Sequence, residues 1–219
     1  MAGLPSTRRP RNKDRLATSR FTAVRDVFIR AAKDLEAAQL EFALVGGLAV
    51  SARGAPRFTA DVDFAVAVSG DEAAEAAVFR MQRLGYAVQT TIEDKETGRL
   101  STARLLGPTR PRIIVDLLFA ACGVESEVVA GATRTTILPG VQVPVARTGH
   151  LLAMKVLALD DKLRPQDRMD IAALLPLADT EERKLARSTL TRIQALGRGR
   201  GKKLVSVFDR LAAKHTRLR

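Results

Sequence analysis

The sequence predicts an α/β (α+β) core followed by a helical C-terminal part. Up to about residue 147, short apolar segments of strand length alternate with helical patterns and with Gly, Pro and polar turn residues. Beyond that point, apolar residues recur mainly at helical spacing. The chain has 219 residues, of which 46% are hydrophobic, which is enough for a sizeable core. We therefore predict a disordered basic tail at 1–18, an α/β core at 19–147 and a helical region at 148–219.

The first elements are a tail, a helix and a strand. Residues 1–18 are rich in Pro, Arg and Ser, a composition typical of disorder. An amphipathic helix is predicted over 20–38, because apolar residues recur there at spacings of three and four. A strand follows at 42–45, and a Gly-Gly pair then opens a short helix that ends before Pro56.

The next elements complete the core and lead into helices. An apolar strand is predicted at 61–68, followed by a helix that Asp71 caps and Gly85 ends. We expect further strands near 86–91, 100–106 and 112–119, and a hairpin at 133–146 around Pro139-Gly140. The predicted C-terminal helices cover about 148–162, 166–176, 180–195 and 201–216, with a flexible glycine-rich break before the last one.

The charge predicts a polyanionic partner. The formal net charge is +12, and the basic residues cluster toward both ends of the chain. Aromatic residues are scarce and Trp is absent, so base stacking is not expected to dominate, and backbone recognition of structured RNA fits better. The alternative is that coding bias alone has enriched arginine.

The sequence favours a cytoplasmic location. The single cysteine, Cys122, cannot form an internal disulfide, and we expect it to be buried and inert. No apolar stretch reaches the length of about 18 residues that a membrane span requires. The basic N-terminus is not followed by the apolar segment of a secretory signal. We therefore expect no membrane partner.

Two carboxylates open the strand at 61–68. Asp61 and Asp63 alternate with Val62 and Phe64, and side chains of a strand alternate between its faces. Both carboxylates therefore point the same way, about 6.5–7 Å apart along the backbone. Because such charges repel each other, a divalent ion between them is the favoured interpretation. The alternative is a pair of solvated acids at the end of a strand.

A third carboxylate, Asp116, lies in the middle of an apolar strand. A charge there costs several kcal/mol unless it is paired or binds a metal. If this strand lies beside the first, Asp116 joins Asp61 and Asp63 around Mg²⁺, as in two-metal phosphoryl transfer. The alternative is that Asp116 pairs with one of the many arginines.

Gly46 and Gly47 follow an apolar strand and are candidates for binding phosphate. Glycine lets backbone N–H groups approach a phosphate closely. The alternative is an ordinary turn. Arg57 and Thr59 border the carboxylate strand and are further candidates for phosphate contact. His150 is expected to cap or pack rather than catalyse.

These residues resemble a known superfamily. A glycine pair, Asp61-x-Asp63 and a later strand with Asp116 are similar to the nucleotidyltransferase superfamily that includes DNA polymerase β. The usual glycine motif there is Gly-Ser, so Gly47 removes a hydroxyl that often touches a phosphate. The resemblance implies the nucleotidyltransferase-type mixed sheet flanked by helices.

The second half of the resemblance indicates one branch of the superfamily. Lys155 on one helix, followed by Asp167-x-x-Asp170 on the next, resembles the AbiEii/MenT-type nucleotidyltransferase toxins of bacterial toxin–antitoxin systems. That family has an arginine before the first aspartate, where this chain has Gln166. The resemblance covers about residues 40–175.

The resemblance assigns roles to the helical residues. It implies that Lys155 meets the phosphates of the nucleotide, together with Gly46 and Gly47, and that Asp170 belongs to the catalytic set. The alternative for Lys155 is snorkelling into water. Asp167 and Asp170 could instead simply favour the positive N-terminus of a helix, and the role of Asp167 stays open.

The function implied is a Mg²⁺-dependent nucleotidyltransferase that moves an NMP from an NTP to an acceptor hydroxyl. Asp61, Asp63 and Asp116 would hold the two metals, and the acceptor would be RNA, such as a tRNA 3′ end. The protein would then be a toxin with a cognate antitoxin protein. The alternatives are a small-molecule acceptor, as in aminoglycoside nucleotidyltransferases, a partner protein as acceptor, or a catalytically silent module that binds nucleotide or RNA.

Overall fold

The computed structural model describes residues 12–94, 97–160 and 165–216, and it confirms the predicted α/β architecture. Within these ranges, seven strands form one mixed sheet, and eight α-helices flank it or follow it. Strands and helices are interspersed up to the hairpin that ends at Val145, and the elements described from Thr148 onward are helical.

The sheet places the predicted site strands at its centre. The strands are β1 (Phe42–Val45), β2 (Asp61–Val66), β3 (Ala87–Glu93), β4 (Leu100–Leu106), β5 (Ile114–Leu118), β6 (Thr133–Leu138) and β7 (Val141–Val145). Their order is β3-β4-β5-β2-β1-β7-β6. The pairs β2–β5 and β1–β7 are parallel, and the other neighbours are antiparallel. The residues that follow β1 and those on β2 and β5 therefore lie side by side.

The helices cover the sheet and then pack on one another. They are α1 (Asn12–Ala37), α2 (Gly46–Ala52), α3 (Asp71–Arg83), α4 (Glu125–Ala130), α5 (Thr148–Ala158), α6 (Pro165–Leu174), α7 (Thr180–Ala195) and α8 (Leu204–Thr216). A short 3₁₀ turn, Leu175–Leu177, follows α6.

The apolar side of β2 is buried beneath α1. Val62, Phe64 and Val66 are fully buried, as their alternation with the aspartates predicts. Phe28 of α1 stacks on Phe64 with the ring centroids 6.4 Å apart, and Phe42 of β1 meets the same ring edge-on at 5.3 Å. Since successive side chains of β2 alternate, the carboxylates lie on the opposite face of the sheet from α1.

Three of the differences from the predicted elements concern helices. Helix α1 begins at Asn12, so it runs through 12–18, where we predicted a disordered tail; residues 1–11 lie outside the described residues. The straight-chain and Ala residues of that segment are good helix formers. Helix α4 was not predicted, because six residues are too few for a periodic pattern. Helix α8 begins at Leu204, after a turn that contains Gly201.

None of the helices in the described part of the chain is both long and apolar enough to span a membrane.

Candidate active site

The predicted site residues meet at a cavity of about 670 Å³ between the sheet and α5. Its walls come from the end of β1, the loop before β2, the strands β2, β4 and β5, and the helices α5 and α6. Asp170 lies behind this wall, with 1% of its surface exposed, and contacts Arg57 and Lys155. The predicted residues that line the cavity are Gly46, Gly47, Arg57, Thr59, Asp61, Asp63, Asp116, Lys155 and Asp167.

Gly46 lies directly against a carboxylate of the next strand. Its φ is +64°, a backbone conformation that residues other than glycine rarely adopt. A β-carbon at this position would lie 1.9 Å from Oδ2 of Asp63, which is far inside van der Waals contact. The close approach follows from the register, because Val45 is the antiparallel partner of Asp63. Only glycine therefore lets this backbone and the Asp63 carboxylate share the cavity.

Gly47 is required for a different reason. A β-carbon there would lie 2.6 Å from Nη2 of Arg57 and 2.7 Å from Oγ1 of Thr59. The space that the serine of a Gly-Ser pair would need is thus already filled. The Thr59 hydroxyl also donates a hydrogen bond to Oδ1 of Asp61, at 2.8 Å. Thr59 therefore supplies a hydroxyl beside Gly47 and orients a carboxylate.

The three predicted carboxylates face the cavity from adjacent strands. Asp61 and Asp63 are half-buried and share one face of β2. Asp116 is buried on β5 and is the parallel register partner of Asp63. Oxygen ligands of this kind suit Mg²⁺, so the Asp61–Asp63 face fits a hard divalent cation. Within the described ranges, no group of three or more His, Cys, Asp or Glu side chains is arranged to hold a metal ion.

Asp116 has an arginine partner that the sequence analysis did not identify. Nε of Arg104 donates to Oδ1 of Asp116 at 2.9 Å, and Nη2 donates to Oδ2 at 2.7 Å. The bond to Asp116 raises the pKa of Arg104 above its ordinary value, and the charges of Asp61 and Asp63 add to this effect, while burial opposes it. Asp116 is therefore paired with an arginine, which was the alternative interpretation of its sequence position. The role of Asp116 as a metal ligand stays a prediction.

A signal for Arg104 was present in the sequence. The predicted strands at 100–106 and 112–119 are joined by a short loop, which predicts an antiparallel pair. In the observed register Arg104 faces Asp116 across β4 and β5. Opposite charges at matched distances from such a loop indicate a cross-strand ion pair.

A buried ion-pair cluster, made of Arg57, Lys155, Asp167 and Asp170, closes one side of the cavity. Nζ of Lys155 lies 2.9 Å from Oδ1 of Asp167 and 2.9 Å from Oδ2 of Asp170. Nε of Arg57 lies 2.7 Å from Oδ1 of Asp170. The Lys155 side chain is 10% exposed, so its ammonium is held in ion pairs rather than snorkelling into water.

The buried ion-pair cluster joins distant parts of the chain. Arg57 precedes β2, whereas Lys155 lies on α5 and both aspartates on α6. Nε2 of Gln166 also donates to Asp170, at 3.3 Å, so the residue that replaces the family's arginine contacts the same carboxylate. The two cations and two carboxylates carry no net formal charge. The cluster therefore fixes α6 against the loop before β2.

His150 and Cys122 are packing residues, as predicted. Burial lowers the pKa of His150, with Arg147 adding to the effect, so the neutral imidazole is favoured. Burial raises the pKa of the Cys122 thiol well above its ordinary value, which makes it a poor nucleophile.

Two exposed apolar side chains at the cavity were not singled out from the sequence. Phe58 is 55% exposed and Ile92 is 47% exposed, and both line the cavity. Phe58 lies between Arg57 and Thr59, where its neighbours in sequence could have drawn attention to it.

The chain is similar to several solved structures. An antigenic nucleotidyltransferase-like protein from Paracoccidioides brasiliensis matches with a TM-score of 0.51 and 18% identity, over 85% of this chain and 92% of that chain. The antibiotic-resistance factor ANT(2'')-Ia matches at 0.46 and 15%, over 88% and 92%. The lincosamide antibiotic adenylyltransferase LnuA, lincomycin-bound, matches at 0.47 and 12%, over 70% and 97%. No curated protein sequence matches the chain.

A glycine pair beside carboxylates on a mixed sheet, in a fold similar to that of the protein from Paracoccidioides brasiliensis, defines a nucleotidyltransferase-like fold. The family comparison then identifies both the enzyme class and the family. The chain belongs to the AbiEii family of nucleotidyl transferase toxins of type IV toxin–antitoxin systems, whose family model matches residues 29–218. The resemblance to AbiEii inferred from the sequence is thereby confirmed.

Proposed function

We propose that this protein transfers an NMP from an NTP to a hydroxyl group of RNA, with Mg²⁺, and acts as the toxin of a toxin–antitoxin pair. The observation that carries the proposal is the contact between Gly46 and Asp63. It brings a backbone free of side chains against a carboxylate that faces the same cavity. A nucleoside triphosphate needs an accessible backbone for its phosphates, and its Mg²⁺ needs a carboxylate beside that backbone.

The proposed metal ligands are Asp61 and Asp63. Both face the cavity, and the Thr59 hydroxyl holds Asp61 in place. Mg²⁺ bound there would neutralise phosphate oxygens of the NTP. The backbone at Gly46 and Gly47 would lie along the triphosphate, and Lys155 and Arg57 would place N–H donors on the facing wall.

The chain would act mainly by positioning and by stabilising charge. An acceptor hydroxyl oxygen would attack the α-phosphorus and lose its proton to water, and the bond to the bridging oxygen would break, so that pyrophosphate leaves. The buried ion-pair cluster keeps Lys155 and Arg57 rigid, because both cations are fixed by Asp170. Cations that are already ordered need no reorganisation when charge develops on the phosphates.

RNA is the proposed acceptor because of charge. A second cavity, of about 710 Å³, lies against α5, α6 and α8, and we call it the basic groove. Four cations line it together with apolar residues, and the net charge of the chain is +12. The cations are Arg168, Lys202, Arg210 and Lys214.

The toxin role and the antitoxin partner are supported by family membership. A toxin that modifies tRNA 3′ ends would arrest growth, and a cognate antitoxin protein would restrain it.

Labelled nucleotide tests the proposal. Purified protein is incubated with Mg²⁺, total bacterial tRNA and each α-³²P-labelled NTP in turn, beside the Asp61→Asn variant. We expect label in tRNA with the unaltered protein and a loss of at least about 100-fold in the variant, whose circular dichroism is unchanged. Label in RNA with both proteins would contradict the assignment of Asp61. Label in protein, or in an added aminoglycoside or lincosamide, would show that this molecule is the acceptor instead of RNA.

A further inference from the structure

We infer that Arg104 is a built-in cation that takes the place of a second metal ion, so that the site holds a single divalent ion, at Asp61 and Asp63. The inference rests on the proposed function and goes beyond it. It changes the role of Asp116 from metal ligand to the anchor of a fixed guanidinium.

The contact between Arg104 and Asp116 uses both carboxylate oxygens. The two bonds, of 2.9 and 2.7 Å, form the parallel fork that makes arginine–carboxylate pairs strong and directional. A metal ion bound to Asp116 would have to displace at least one of them. Asp116 is 6% exposed, so water offers its carboxylate little compensation for a lost partner.

The sheet holds this pair in place. Arg104 is the antiparallel partner of Asp116, and Asp116 is the parallel partner of Asp63. Three neighbouring strands therefore present guanidinium, carboxylate and carboxylate in one row across the cavity wall. The pair depends on strand register rather than on a mobile loop.

The local charges support a single divalent ion. Asp61, Asp63 and Asp116 carry three negative charges, and Arg104 keeps its positive charge at any physiological pH. These four residues together carry two negative charges, and Arg200, which also lines the cavity, offsets part of them, so one divalent cation is enough to balance the site. The buried ion-pair cluster is neutral in itself and does not alter this balance. A second divalent ion would leave the empty site with excess positive charge.

Counting bound Mn²⁺ tests the inference. The full-length protein is titrated with Mn²⁺ in the presence of α,β-methylene-ATP, and free Mn²⁺ is followed by electron paramagnetic resonance. We expect one bound Mn²⁺ per chain of the unaltered protein. Arg104→Gln exposes the Asp116 carboxylate, so we expect two ions. Arg104→Gln combined with Asp116→Asn restores the original charge and removes the ligand, so we expect one ion again.

The control is Arg134→Gln, on β6, which removes an arginine that pairs with Glu36 at the surface. It should bind one ion. Thermal unfolding of each variant shows whether it is folded, and Arg104→Lys gives a second test, since lysine cannot donate in parallel to both oxygens. A second ion in Arg104→Lys would support the inference as well.

Two results would overturn the inference. Two ions in the unaltered protein would mean that a metal ion binds Asp116 despite Arg104. One ion in Arg104→Gln would mean that Asp116 does not bind metal even without its arginine partner. Both can occur while nucleotidyl transfer persists, in which case the proposed function stands. A protein that binds no Mn²⁺ and transfers no nucleotide would overturn both.

Discussion

At the scale of single residues, Gly47 and its neighbours decide which hydroxyl the site contains. The position that a serine would take is filled by the ends of Arg57 and Thr59. Arg57 cannot easily move aside, because Asp170 holds its guanidinium through two contacts. The glycine is therefore tied to the buried ion-pair cluster as well as to the cavity.

Restoring the usual Gly-Ser pair should harm this protein. We expect Gly47→Ser to lower the free energy of unfolding by about 1–3 kcal/mol, through overpacking, and to reduce nucleotidyl transfer. Urea denaturation measures the first effect and the tRNA labelling assay the second. Gly70→Ala is the control, since a β-carbon there meets nothing within 4 Å. A Gly47→Ser protein as stable as this control would contradict the steric explanation.

Asp170 should be the most sensitive member of the buried ion-pair cluster. Asp170→Asn leaves Arg57 and Lys155 without a shared carboxylate, so we expect the free energy of unfolding to fall by about 3 kcal/mol. Denaturation of Asp170→Asn, Lys155→Gln and the double variant forms a cycle. We expect strong coupling in that cycle, and additive losses would show that the ion pair contributes little.

His150 makes stability depend on pH. Its pKa is lowered by burial, so the unfolded chain binds the proton more tightly than the folded protein. The stabilisation is therefore complete above the unfolded pKa of 6.5 and is lost as the pH falls through the lower folded pKa. We expect the free energy of unfolding to drop on acidification, and to drop less in His150→Gln. Equal slopes for the two proteins would contradict this assignment.

At the scale of secondary-structure elements, local sequence patterns predicted the faces of each strand, but they did not predict which residues of neighbouring strands are paired. The alternation of Asp61 and Asp63 with Val62 and Phe64 was sufficient to predict one apolar and one acidic face, because strand geometry is local. The ion pair between Arg104 and Asp116 depends on the register of two strands. Register follows from the whole sheet, so sequence reasoning left two alternatives open for Asp116.

The long-range contacts could not be predicted from spacing. Arg57 and Asp170 are 113 positions apart in the chain, and no periodic pattern links them. The same is true of the crowding at Gly47, which depends on how the loop before β2 folds back over α2. The sequence did indicate that these residues belong to one site, through the family resemblance.

The basic face of α8 should contribute to RNA affinity. We expect Arg210→Gln combined with Lys214→Gln to weaken tRNA binding and to lower the slope of log affinity against log salt by about two units. Fluorescence anisotropy at several salt concentrations measures both quantities. Arg25→Gln combined with Lys33→Gln, on the exposed side of α1, removes the same charge. An equal loss in this control would mean that net charge alone matters.

At the scale of the whole molecule, the helical region and the sheet together form the walls of one cavity. Strand β7 leads almost directly into α5, and the buried ion-pair cluster spans the predicted boundary near residue 147. Lys155, Asp167 and Asp170 come from the helical side, while the glycines and the carboxylates of the cavity come from the sheet side. The predicted boundary marks a change in sequence pattern, and side-chain contacts cross it.

We expect the protein to unfold in a single cooperative transition. The ion pairs that cross the boundary make it costly to unfold either part alone. Differential scanning calorimetry should give equal calorimetric and van't Hoff enthalpies of unfolding. In Asp170→Asn we expect the two enthalpies to differ. Two separate transitions in the unaltered protein would show that the two parts fold independently.

The close approach of Gly46 to Asp63 has a genetic consequence. Every change in the first two bases of a glycine codon introduces a side chain or stops translation, and here two such codons stand in a row at positions where an added β-carbon would overlap neighbouring side chains. If expression of the protein arrests growth, cells that escape arrest should carry inactivating mutations at these two codons more often than at most others. Sequencing survivors would thus test the crowding at Gly46 and Gly47 without a single biochemical assay.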